Sequence, residues 1–141
     1  MRDLISNLHL KRAIAPAAAV SDNTAFVSQI IDVQGYDSLT FAILAGSLAD
    51  ADATFTTLVE HGDAANLSDA AAVADADLVG TEALASFTFA DDNKVFKIGY
   101  RGLKRYVRLT ITPANNSGAS YIAALAILDH AAYQPAANPP A

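Results

Sequence analysis

Hydrophobic and polar residues alternate most regularly in "RYVRLTIT", residues 105–112. In an extended chain, Val107, Leu109 and Ile111 fall on one side and Tyr106, Arg108, Thr110 and Thr112 on the other. A period of two, rich in β-branched and aromatic residues, predicts a strand with one buried face. Shorter or less regular versions occur in "NLHLKRAI", "SQIIDV", "SLTFAILAGSL", "TFTTLVEH", "ASFTF", "KVFKIGY" and "SYIAALAIL", with turn-forming clusters such as "QGYD", "ADAD", "ADDN", "YRG" and "PANNSGA" between them. About eight short strands at this spacing predict an all-β protein, a single antiparallel β-sandwich or jelly-roll-like domain. The alanine-rich "LSDAAAVADADLVGTE" breaks the pattern. Ser68 can cap a helix there and alanine favours one, so one short helical excursion between strands is expected. The chain divides into an N-terminal arm (1–12), the sandwich domain (13–132) and an extended Pro/Ala-rich tail (133–141), which holds three of the five prolines.

A chain of 141 residues makes about one domain, and a domain of that length buries roughly two-thirds of the surface its unfolded chain exposes. Alanine accounts for 31 of the 74 hydrophobic residues, leaving 43 larger ones for an adequate but not large core. Without cysteine there is neither a disulfide framework nor a thiolate metal site. The opening "MRDLISNLHLKR" mixes charge into its apolar residues, and nothing approaches the roughly 18 apolar residues of a membrane span. The expectation is a soluble protein made in the cytoplasm without export or membrane contact.

Charge changes the picture more. Residues 13–93 contain 13 Asp+Glu and no Lys or Arg, whereas 94–108 carry six of the nine Lys+Arg and no acid. The basic ribbon lies in "KVFKIGYRGLKRYVRLTITP". Nucleic acid is an unlikely partner, because an otherwise acidic chain repels a polyanion at long range. "GYRGLK" lacks the spacing and flanking elements of a phosphate loop, and Gly99 and Gly102 fit a tight turn or bulge better. Two readings stay open: a docking surface for an acidic partner or second copy, and a solvated strand face paired with acids of its own sheet.

Catalytic chemistry is poorly supported. There is no cysteine and no Gly-x-Ser-x-Gly turn, and His9, His61 and His130 are scattered, so the chain reads as a non-enzyme without cofactors. His61 reads as a strand-end residue rather than a base. "DADAT" (Asp50, Asp52) and "DADLVG" (Asp75, Asp77) pair carboxylates as a calcium loop would but lack its remaining ligands, so solvated loop acids are the alternative.

The run "IGYRGLKRYVRLTITPANNSGASYIAALAIL", with the preceding "LVEHGDAANLSDAAAVADADLVG", resembles the head auxiliary proteins of tailed bacteriophages, also called decoration or cement proteins. The likeness covers residues 54–128 and is one of pattern: a Gly-Tyr, a Lys-Arg-Tyr-Val-Arg strand, a Thr-Pro-Ala-Asn turn and an alanine-rich last strand. It implies a β-sandwich or jelly roll, often trimeric, on the capsid exterior. There it would bind the major capsid protein and stabilise the virion head by bridging capsomers. It brings no catalytic residues. On this reading Arg2, Leu4, Ile5, Leu8 and Leu10 of the arm, Arg101, Lys104, Arg105 and Arg108 of the ribbon, and Tyr133 and Pro135 of the tail are the expected contacts with capsid or a neighbouring subunit. A carbohydrate-binding module, or a structural sandwich of the tail or head-tail junction, is the alternative; the absence of tryptophan argues against a sugar site.

Overall fold

The computed structural model describes residues 2–140; Met1 and Ala141, the outermost positions of the expected arm and tail, lie outside the described residues. Eleven strands follow in chain order: β1 (His9–Ile14), β2 (Phe26–Val27), β3 (Ile31–Asp32), β4 (Tyr36–Leu48), β5 (Thr54–Gly62), β6 (Ala71–Ala72), β7 (Leu78–Val79), β8 (Phe87–Thr88), β9 (Val95–Tyr100), β10 (Tyr106–Ala114) and β11 (Ser120–Ala131). All pairings are antiparallel. The first sheet runs β1-β11-β4-β9-β7. The second is built on β10 and β5, with β2 and β3 pairing β10, and β6 and β8 pairing β5. This is the predicted antiparallel sandwich, and each predicted strand run overlaps an observed strand.

The two sheets close over one core. Phe41, Ile43, Ile98, Ile122 and Leu128 of the first sheet, and Phe55, Val59, Val107, Leu109 and Ile111 of the second, are all at most 1% exposed. Stacked rings tie the sheets at one side. Phe87 lies 5.1 Å from Phe55 in the second sheet and 4.9 Å from Phe96 in the first, in offset geometry that adds to plain burial.

The alanine-rich excursion is not an α-helix, and none occurs among the described residues. Ala71 and Ala72 pair with His61 and Glu60 as β6, and the Val73 amide bonds the Val59 carbonyl. Partners in the sheet override the helix preference of alanine. Ser68 caps nothing there; its own amide donates to Asn66 Oδ1. What remains of the expected helix is a three-residue 3₁₀ turn, Asp75–Asp77.

The arm and tail are not free of the domain. His9 to Arg12, placed in the arm by sequence, form the start of β1 and pair with Leu128 to Leu125 of β11. Ile5–Asn7 form a 3₁₀ turn, and the tail returns to it: the Ala136 amide donates to the Ser6 carbonyl at 2.8 Å.

His9 is buried and stacks on Tyr36 with ring centroids 5.6 Å apart, and its Nδ1 has no hydrogen-bond partner among the described residues. Burial, helped by nearby Lys11, lowers its pKa below 6.5. A pKa lower in the folded than in the unfolded chain favours the native state fully above about 6.5, and this contribution is lost as pH falls through the folded value. We expect stability to decline below pH 6.5, and His9→Phe to flatten that part of a urea-midpoint profile measured from pH 7.5 to 5.

Candidate functional site

The acids that crowd residues 13–93 mostly hold backbone. Asp50 accepts from the Ser117 amide and hydroxyl and from the Asp52 amide, which fixes the β10–β11 turn. Asp69 accepts from the Asp63 and Ala64 amides after β5, Asp92 from Leu48, Asp91 from Thr88, and Glu82 from Val59. Carboxylates are strong acceptors for orphan amides, and this sandwich uses them at its loops. These bonds hold the Asp50 and Asp69 carboxyls below the ordinary range. Among the described residues no three His, Asp or Glu side chains converge as metal ligands.

Other acids meet the basic ribbon. Arg105 grips Asp32 with two bonds of 2.9 and 2.8 Å and lies over the Tyr106 ring. Those bonds are the main reason the Asp32 carboxyl stays below its usual range, against the opposite push of burial. Arg108 donates twice to Glu60, directly across β10 and β5, Lys104 pairs with Asp63, and Lys94 with Asp91. Arg101 donates to the Ala76 carbonyl. Most of the ribbon is therefore a set of intrachain pairs, the second of the two readings left open by sequence. Each exposed pair is worth about 0–1 kcal/mol. Lys97 is the ribbon member with neither an ion pair nor a side-chain hydrogen bond among the described residues.

Most of the expected contact residues gather at one end of the sandwich, where β1 and β10 begin and β9 and β11 end. Leu4 and Ile5 are 64% and 66% exposed there, and Tyr133 is 91% exposed. Arg2 and Pro135 are exposed and Leu8 is half-buried in the same terminal segments, while Arg101, Lys104 and Arg105 sit in the β9–β10 loop. Leu10 and Arg108 lie apart, on the outer faces of the first and second sheets. Behind the loop, His61 Nδ1 lies 2.9 Å from the Tyr100 hydroxyl, near the end of β5.

The two outer faces differ in degree. The second sheet shows water Thr54, Thr56, Thr110 and Thr112 with the Arg108–Glu60 pair, and beside Thr110 the half-buried Leu58 and the exposed Val27. The first shows aliphatic rows. Leu10, Ile127, Thr40, Gly99 and Val79 align across its five strands. The next outward row is Arg12, Leu125, Ala42 and Lys97, and the next Ala123, Leu44 and Val95. Leu44, Leu125, Val79 and Val95 are between 45% and 67% exposed. A hollow of about 300 Å³ on this face is lined almost wholly by carbon, including Ile14, Pro16, Leu44, Ala123 and Leu125.

Apart from Leu10, this face was not among the expected contacts, although its signal is in the sequence. "SYIAALAIL" is apolar at eight of its nine positions, and "FAILA" within "SLTFAILAGSL" at all five, which is how a strand covered on both faces reads. Among the described residues, nothing covers the second face.

Fold and surface together define an antiparallel β-sandwich whose outer faces differ in degree, the first richer in exposed aliphatic side chains and the second in threonine. No family model matches the chain, and no curated protein is similar to it. Some solved structures are similar to it. A chain of the capsid of Ralstonia phage GP4 is similar over 92% of this chain and 88% of its own, at 10% identity and a TM-score of 0.52. The SPBc2 prophage-derived protein YomS matches 90% of this chain and 98% of its own, at 12% identity and a TM-score of 0.45. The xylan-binding module CBM15 matches 93% and 95%, at 10% identity and a TM-score of 0.43. At these identities the likeness is one of fold.

Proposed function

We propose that the chain is a non-enzymatic structural protein of a tailed-phage virion, which binds the outer surface of the head and stabilises it by bridging subunits of the major capsid protein. The observation that carries this reading is the aliphatic outer face of the first sheet. Contiguous exposed apolar surface of this kind marks a protein contact, and the threonine-rich face opposite is what water-facing sheet looks like. The sandwich shared with a chain of a phage capsid and the sequence resemblance to head auxiliary proteins support the same conclusion. The exposed apolar residues of the N-terminal turn and tail add a second contact region at the end of the domain. In this reading the protein works as a trimer. A clip that binds only the assembled shell stabilises that state by linkage, and three linked copies do so by multivalency.

Quantitative mass spectrometry of purified virions tests the proposal. A head-bridging protein is present at a copy number comparable to that of the capsid protein, and release by mild denaturant lowers the temperature at which heads lose DNA. A few copies per particle would move the protein to the neck or tail, and absence would end the virion reading.

A further inference from the structure

Strand β9 is six residues long, yet on its outer side β7 pairs only with Gly99 and Tyr100. Backbone groups alternate along a strand, and two bonds fix the phase. The Lys94 carbonyl bonds Ala45 on the β4 side, and the Arg101 amide bonds the Asp77 carbonyl on the β7 side. Odd-numbered residues therefore face away from β4. Val95 and Lys97 turn their N–H and C=O toward that side, and among the described residues no backbone meets them there.

Two glycines shape this opening. At Gly99 a Cβ would stand 3.0 Å from Val79 Cβ, so glycine lets β7 approach at that point. Gly80, with φ +90°, then turns the chain away, in a conformation that side chains rarely adopt. The edge beyond is left bare beside a groove of about 630 Å³, with Val79, Gly80 and Leu84 on one side and Val95, Lys97 and Gly99 on the other. Natural edges of this kind are usually covered, twisted away or charged, and here Lys97 is the charge.

We propose that this edge accepts an extended segment of a partner protein, apolar at alternate positions and with a carboxylate facing Lys97, which continues the sheet where β7 stops. The main-chain groups of Val95 and Lys97 ask for another main chain, as in other strand-addition sites. Val79, Leu84 and Val95 ask for apolar side chains, beside Thr40, Asp37 and Arg101, which line the same groove. Lys97, the ribbon cation that meets no carboxylate among the described residues, asks for an acid. The inference holds whether or not the partner belongs to a virion, so its test is separate from that of the function proposed above.

The test uses the full-length chain, ¹⁵N-labelled, titrated with an acetylated and amidated Leu-Val-Glu-Val-Leu peptide and with its Lys-centred counterpart. The Glu peptide is expected to bind at least tenfold tighter, to shift the Val95 and Lys97 amides and to slow their hydrogen exchange. Lys97→Glu should reverse the preference between the two peptides. Val95→Pro removes an N–H that no strand uses, which an edge tolerates, so it should abolish binding with the fold intact. Equal binding of both peptides, shifts confined to other regions, full binding by a folded V95P chain, or self-association through this edge would overturn the proposal. Should V95P fail to fold, the charge-reversal pair decides.

Discussion

Phe41→Ala is expected to lower the unfolding free energy by about 3–5 kcal/mol, seen as a fall in urea midpoint at unchanged slope. Phe41 has no exposed surface and lies in β4, the middle strand of the first sheet. Its cross-strand neighbours are Ala126 and Ile98. Alanine at 126 is too short to fill the space a lost ring would leave, and the strands on both sides are fixed by their own ladders. The cost thus combines lost burial with a cavity that the surroundings cannot close. Leu44→Ala, three residues along the same strand but on its outer face, should cost well under 1 kcal/mol in the isolated chain. A loss at Phe41 no larger than that at Leu44 would mean that the sheets do not pack over this ring.

The contrast between Phe41 and Leu44 also shows what was legible in the sequence. The inner face was plain in "RYVRLTIT", where alternation separates Val107, Leu109 and Ile111 from their polar neighbours, and less so in "TFTTLVEH", where buried Thr57 and outward Leu58 break the pattern. The two-residue strands β2, β6 and β7 were not legible, since two residues show no period and their pairing is decided by what lies opposite. The pairing of the ribbon was hidden for a related reason. Arg105 is 73 residues from Asp32, and Arg108 is 48 from Glu60, so charges that look segregated along the chain meet in space. The apolar outer face was visible in "SYIAALAIL" as an absence of alternation. Such a run states that both faces of a strand avoid water, but it cannot state whether the cover comes from the same chain.

The double variant Leu44→Glu, Leu125→Glu should lose association with intact heads, with affinity falling at least about 100-fold, while its thermal midpoint stays close to that of the parent chain. Both side chains are about half exposed, at 51% and 45%, and neither belongs to the core cluster between the sheets. Leu125 is flanked on its outward row by Arg12 and Ala42, and Leu44 by Ala123 and Val95, so two carboxylates there break the centre of the apolar surface. Covering the exposed half of each leucine contributes about half of the 1.5–3 kcal/mol of a fully buried one, and a carboxylate forced into the same place adds a desolvation cost of at least about 1–3 kcal/mol. Two such losses exceed the roughly 2.7 kcal/mol that corresponds to a factor of 100. Co-sedimentation of the labelled variant with heads stripped of the native protein measures this directly, with circular dichroism as the control for folding. Charge reversal of the paired ribbon, Arg105→Glu, gives the discriminating comparison. If the apolar face is the contact, R105E should retain binding within a few-fold despite losing Asp32; if R105E abolishes binding and the leucine variant does not, the contact lies at the loop end of the sandwich.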